Sequence, residues 1–233
     1  VLETPEKTAA LITPDRLLAE LVIAELQRWN ITIEDSAGRP LASTQTGKFL
    51  QLLANAVADD LAPLSLLALL KHAYAAGGIK PHEFQAKVTD LELAILRGAR
   101  PAIPQIDGLV AAVPTKALQN FVKQHIAMPL QPLYAAWRAA NPTLASLVAG
   151  LAETAELLAA DETNVASGQP DRSQGALRLW DGVDGQAAAR LLADIEIDGS
   201  DFKIAADDFP QILQQIFETE TVYPHGSPHP RLT

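Results

Sequence analysis

The rhythm of apolar and polar positions changes near residue 40. Before it, Thr8-Ala-Ala-Leu-Ile-Thr13 is a short apolar run suited to a buried strand, and Ile31-Thr-Ile-Glu34 alternates with the period of two that a strand requires. Between them, Thr13-Pro14-Asp15 supplies an N-cap, a proline for the first helical position and a first-turn acid. Leu18, Leu21, Val22, Leu26 and Trp29 then share one broad helical face, opposite Glu20 and Gln27 and interrupted by Glu25. Asp35-Ser-Ala-Gly-Arg-Pro40 is turn chemistry. The pattern predicts one strand–helix–strand unit, with a right-handed crossover if its strands are parallel.

After residue 40 the helical period takes over. Phe49, Leu52, Leu53 and Ala56 mark a second helix, Pro63–Ala76 a third that ends at Gly77-Gly78, and Pro81–Arg97 a fourth. In the fourth, Phe84, Val88, Leu91 and Ile95 recur at helical spacing, and Arg97 and Gly98 suit its end. Further helices are expected over Pro114–Ala127, Leu130–Ala140, Pro142–Ala160, Gly185–Ile195 and Asp207–Glu220. Asp161–Gly175, rich in Ser, Gly, Gln, Asp and Asn, reads as a mobile loop. No repeat of fixed period emerges, so a solenoid is unsupported. The fold class expected is mainly α with a small α/β part.

With 233 residues the chain can bury a real core, and with no cysteine it excludes disulfides, cysteine-ligated metals and thiol catalysis in this segment. That composition fits a reducing, cytoplasmic setting. The longest apolar run, Leu61 to Leu70, falls well short of the roughly 20 residues a bilayer requires. No charged-then-apolar leader opens the chain, so neither secretion nor membrane insertion is expected.

Charge sharpens this picture. The formal net charge is −10, against the basic footprint of a generic nucleic-acid binder. Residues 1–70 hold 5 Lys/Arg against 9 Asp/Glu, residues 71–143 hold 8 against 4, and residues 144–233 hold 5 against 15. Phosphates are therefore tolerated best in the middle third, and the acidic end should face solvent or a basic partner.

The tempting motifs are incomplete. Gly38 to Lys48 follows a predicted strand and ends in Gly-Lys, but eight residues separate its glycines and Phe49 replaces the Ser or Thr of a phosphate loop. Asp194-Ile-Glu-Ile-Asp198-Gly199 imitates the start of a calcium loop, yet its twelfth position is Ala205. His225 and His229 stand four apart, but Pro224, Pro228 and Pro230 forbid the helix that would aim both at zinc. Asp59-Asp60 and Asp207-Asp208 read as helix-start acids. His72, His82 and His125 fall in helical patterns outside any triad context, and Trp29, Trp137 and Trp180 read as core. No catalytic group, cofactor or metal is expected in this segment.

Leu11-Ile-Thr-Pro-Asp-Arg16, Glu25-Leu-Gln-Arg-Trp29, Asp35-Ser-Ala-Gly-Arg-Pro-Leu41, Thr46-Gly-Lys-Phe-Leu50, Leu69-Leu-Lys-His72 and the tail His229-Pro-Arg-Leu232 resemble segments of AddB, the second large subunit of the bacterial AddAB helicase–nuclease. The similarity is dense over residues 8–72 and 223–232. The chain departs from the pattern at Ala73, where AddB proteins often carry proline, and at Leu11–Pro14, which lacks the arginine that reaches nucleotide in active superfamily-one motors. The resemblance implies an internal segment of a longer protein: residues 1–48 a partial helicase-like 2A-type subdomain, 49–220 a helical 2B-type insertion, and 221–233 a connector returning to the α/β part. It further implies a non-catalytic, DNA-guiding role in double-strand-break repair, with an AddA-type helicase–nuclease subunit and DNA as partners. Combined with the basic middle third, it nominates Lys71, Lys80, Arg97 and Arg100 for phosphate contact, with His72 beside them. Two rivals stand: a helical protein-interaction scaffold without a nucleic-acid role, and a small α/β enzyme built on residues 8–41.

Overall fold

A computed structural model of the chain describes residues 8–31, 33, 35–97 and 105–223. Two compact units divide them. The first comprises residues 8–39 and 221–223, the second residues 40–220.

In the first unit the helix forms where the sequence places it. α1 (Arg16–Gln27) is capped by Asp15, whose side chain accepts from the amides of Leu17 and Leu18. Arg16 reaches back to the 35–38 turn, donating to Asp35 Oδ1 and Oδ2 at 3.2 and 3.0 Å and to the Gly38 carbonyl at 2.6 Å. That pairing holds the Asp35 carboxyl below its usual range. Of the flanking strands expected, the described residues show a single β-bridge at Ala9. The chain through Leu11–Pro14 is irregular, Ile31 and Ile33 lie in no strand, and Thr32 and Glu34 fall outside the described residues. Leu11 is 48% and Ile12 94% exposed, and no side chain of α1 is buried. The sheet consists of two-residue strands, β1 (Arg39–Pro40) paired with β2 (Thr221–Val222). Trp29, expected in a core, is 73% exposed. The described residues are mainly helical with a two-stranded sheet, and the strand expected over 31–34 lies partly outside them.

The described residues of the second unit are mainly helical. α2 (Gln45–Ala58) leads to α3 (Pro63–Leu70) and α4 (Pro81–Leu91), then α5 (Gln105–Ala112), α6 (Lys116–Val122), α7 (Met128–Trp137), α8 (Leu144–Ala159), α9 (Arg172–Leu179), α10 (Gly182–Asp198) and α11 (Phe209–Thr219). Single π-helical turns extend α4 over Glu92–Leu96 and join α6 to α7 over Lys123–Ala127. α8 is the central helix, packed by α7, α9, α10 and α2. Its start is fixed by a reciprocal cap in which Thr143 Oγ1 accepts from the Ser146 amide and Ser146 Oγ from the Thr143 amide. α11 buries Phe209, Leu213 and Phe217, four apart on one face, against α2 and the turn Leu41–Ser43. Entry and exit of this unit are adjacent, because the Leu41 amide donates to the Glu220 carbonyl at 2.8 Å.

Several helices end or begin differently from the pattern, and α5 forms where none was expected. α3 stops at Leu70, six residues before the expected end, because the chain over 71–80 docks on the C-terminus of α8: the amides of Ala76 and Gly77 both donate to the Leu158 carbonyl, and that of Gly78 to Ala160. The stretch over 161–175 is shorter than expected as a loop. Thr163 bridges Pro170, Asn164 and Gln169 hydrogen-bond, and α9 starts at Arg172 on an Asp171 cap. No described helix is long and apolar enough to cross a membrane.

Candidate nucleic-acid interface

The nominated cations meet carboxylates of their own chain. Lys71 caps the C-terminus of α3, and its Nζ stands 2.7 Å from Glu92 Oε2. Arg97 closes the π-helical turn that begins at Glu92, its amide donating to the Glu92 carbonyl and its Nε lying 3.8 Å from Glu92 Oε1. Glu92 therefore gathers Lys71 and Arg97 around one carboxylate. The hydrogen bond from Lys71 holds the Glu92 carboxyl below its usual range, opposed by partial burial. Lys80, the residue preceding α4, places Nζ 3.2 Å from Glu162 Oε1 and 4.0 Å from Asp161 Oδ2. Arg100 lies outside the described residues.

His72 follows Lys71 but faces inward. Its ring stacks on Phe49 with centroids 5.0 Å apart, and its Nδ1 accepts from the Tyr74 amide at 3.3 Å. Burial, with the Lys48 ammonium adding to it, lowers its pKa from the ordinary value. A neutral imidazole with an occupied Nδ1 is a packing group, so the structure separates His72 from the exposed ammonium next to it.

What fixes this region went unseen in the sequence. Arg178, in the last turn of α9, donates to the carbonyls of Ala73 at 2.8 Å, Tyr74 at 3.1 Å and Ala159 at 2.8 Å, and its guanidinium lies over the Tyr74 ring. One side chain thus clamps the 71–80 turn to the end of α8. Beside it, Arg172 pairs with Glu156, whose other oxygen accepts from Trp180 Nε1 at 2.8 Å. His125 donates from Nδ1 to the Gly77 carbonyl at 2.7 Å, and a Cβ on Gly77 would run into the His125 carbonyl. Only the Gly77-Gly78 pair, both with positive φ, signalled this close approach in the sequence.

The incomplete motifs have structural explanations. Gly47, of the Gly-Lys pair, sits inside α2, where a Cβ would overlap the Leu41 carbonyl oxygen; packing requires that glycine. Asp194 to Asp198 lie in the last turns of α10, and helical backbone does not wrap an ion; no cluster of three or more potential ligands occurs among the described residues. Asp59 is the C-cap of α2 and accepts from Ser65 Oγ, so Asp59-Asp60 sits at a helix end instead of a helix start. Asp207-Asp208 form the turn that leads into α11, as expected. His225 and His229 lie outside the described residues.

Chemically the arrangement offers exposed cations, each held by an exchangeable carboxylate. Exposed ion pairs in water contribute on the order of 0–1 kcal/mol, so an incoming phosphate can compete for them. Comparison of the chain with protein-family models, with curated proteins and with solved structures finds no match.

Proposed function

We propose that the chain is a non-catalytic, DNA-guiding segment of a double-strand-break repair subunit of AddB type, acting in the cytoplasm with an AddA-type helicase–nuclease partner. The observation that carries the reading is topological: a complete helical unit, residues 40–220, enters and leaves through neighbouring residues Leu41 and Glu220, flanked on both sides by the chain of a second unit. That is how an insertion is built into a host domain, and the resemblance of residues 8–72 and 223–232 to AddB segments supports an AddB-type host. DNA contact falls to Lys71, Lys80, Arg97 and Arg100 along the backbone, without base reading. A salt titration of duplex binding, with and without the AddA-type subunit, tests this with the double charge reversal Lys71→Glu and Arg97→Glu. Affinity should drop about equally on unrelated sequences, and the salt slope should shrink by roughly two phosphate contacts. Unchanged affinity and slope would leave the helical interaction scaffold, which gains support from the carboxylates already holding Lys71, Lys80 and Arg97.

A further inference from the structure

We propose that the groove between the end of α10 and the start of α8 is a docking surface for a basic amphipathic helix of a partner protein. The groove has a volume of about 290 Å³ and is lined by Leu144, Asp194, Ile195, Asp198, Gly199 and Phe202. Its walls are fixed before any partner arrives. The Leu144 amide donates to the Phe202 carbonyl at 2.8 Å, the Phe202 amide to Gly199 at 3.2 Å, and the Gly199 amide to Ile195 at 2.8 Å. Phe202 nevertheless remains 59% exposed. An apolar cleft held open by backbone hydrogen bonds loses little freedom when it is filled.

Charge selects the occupant. Asp194 and Asp198 stand one helical turn apart on the rim, in the last turns of α10, which carry no basic residue. Carboxylates there face the negative end of the helix dipole, an unfavourable placement that an incoming cation relieves. Two carboxylates about 6 Å apart along a helix match two Lys or Arg side chains at the same spacing on an opposing helix. An apolar side chain between those cations would enter the cleft against Leu144, Ile195 and Phe202. Residues 144–223, with 4 Lys/Arg against 15 Asp/Glu, repel nucleic acid and anionic lipid. A second copy docked symmetrically would oppose the same carboxylates to themselves. A cationic helix remains, independent of the reading proposed above.

The probe is a fluorescent amphipathic peptide of about 14 Leu and Lys residues, with a Leu/Glu counterpart, titrated into the full chain and followed by anisotropy. The Leu/Lys peptide should bind saturably and more weakly as salt rises, and the Leu/Glu peptide should not bind. Asp194→Asn with Asp198→Asn should weaken binding roughly tenfold and flatten its salt dependence, and Phe202→Ala should weaken it roughly tenfold with the salt dependence kept. The paired Asp207→Asn and Asp208→Asn should change nothing, which distinguishes the groove from general acidity. Circular dichroism checks that each variant keeps its helix, and the Asn pair, which relieves repulsion, is the variant expected to fold at least as well as the parent. The proposal is overturned by equal binding of both peptides, by equal loss in the 207/208 variant, by indifference to both groove variants, or by a chain that dimerises through this face and becomes monomeric with Phe202→Ala.

Discussion

His72 shows how far a residue's surroundings can depart from its neighbours in sequence. It was expected in a helix running to residue 76, beside Lys71, but α3 ends at Leu70, the ring lies on Phe49 and its Nδ1 is taken by the Tyr74 amide. Its pKa is lowered in the folded chain, so between the unfolded value near 6.5 and the lower folded value the unfolded chain binds a proton that the folded chain refuses. Stability is therefore full above about pH 7 and declines as pH falls through that window. Denaturant titrations from pH 7.5 to 5.5 should show a declining midpoint in the parent and a flatter profile in His72→Phe; equal slopes would mean His72 protonates in place. Carboxylate titration at Glu92 and Asp35 follows at lower pH, where their pairs with Lys71 and Arg16 are lost. The sequence could not separate His72 from Lys71, because the partners that bury one and expose the other, Phe49 and Glu92, lie some twenty residues to either side.

At the scale of elements, glycine was the least legible residue. Arg172–Gly175 falls within the stretch that reads as loop, because Ser173, Gln174 and Gly175 lower its helical character, yet it forms the first turn of α9 (Arg172–Leu179). Gly175 is present because α9 crosses α8 so closely that a Cβ would overlap the Glu156 carbonyl oxygen. Alanine for glycine inside a helix usually stabilises by up to about 1 kcal/mol. Here Gly175→Ala should instead destabilise by roughly 2 kcal/mol, because the overlapping atom is backbone and cannot turn aside. Chemical denaturation decides it by the sign of the change, and a stabilised variant would mean that α9 does not pack as described. Elements with strong apolar periodicity, such as α2, α4 and α11, were legible because their buried stripes outweigh local exceptions. Of the strand expected over residues 8–13 only a β-bridge at Ala9 is present, and the strand expected over 31–34 lies partly outside the described residues.

At the scale of the whole molecule, the buried apolar side chains divide unevenly. Among the described residues, every one except Val222 falls between Leu41 and Phe217. The helical unit thus owns its core, and its two ends are joined by the Leu41–Glu220 hydrogen bond. Residues 8–39 contain one helix of 12 residues with no buried side chain, near the length at which isolated helices are marginal in water. A chain of residues 40–220 alone should therefore fold, melt in one cooperative transition and keep the midpoint of the full chain within a few degrees, since among the described residues of the portion removed Val222 is the one buried apolar side chain. Residues 8–39 alone should show little helix by circular dichroism. Hydrogen exchange on the full chain should agree, with slow amides in α2, α8 and α11 and fast ones in α1. If residues 40–220 gave a non-cooperative melt, the helical unit would depend on its flanks for stability, and the insertion architecture on which the proposed function rests would lose its physical basis.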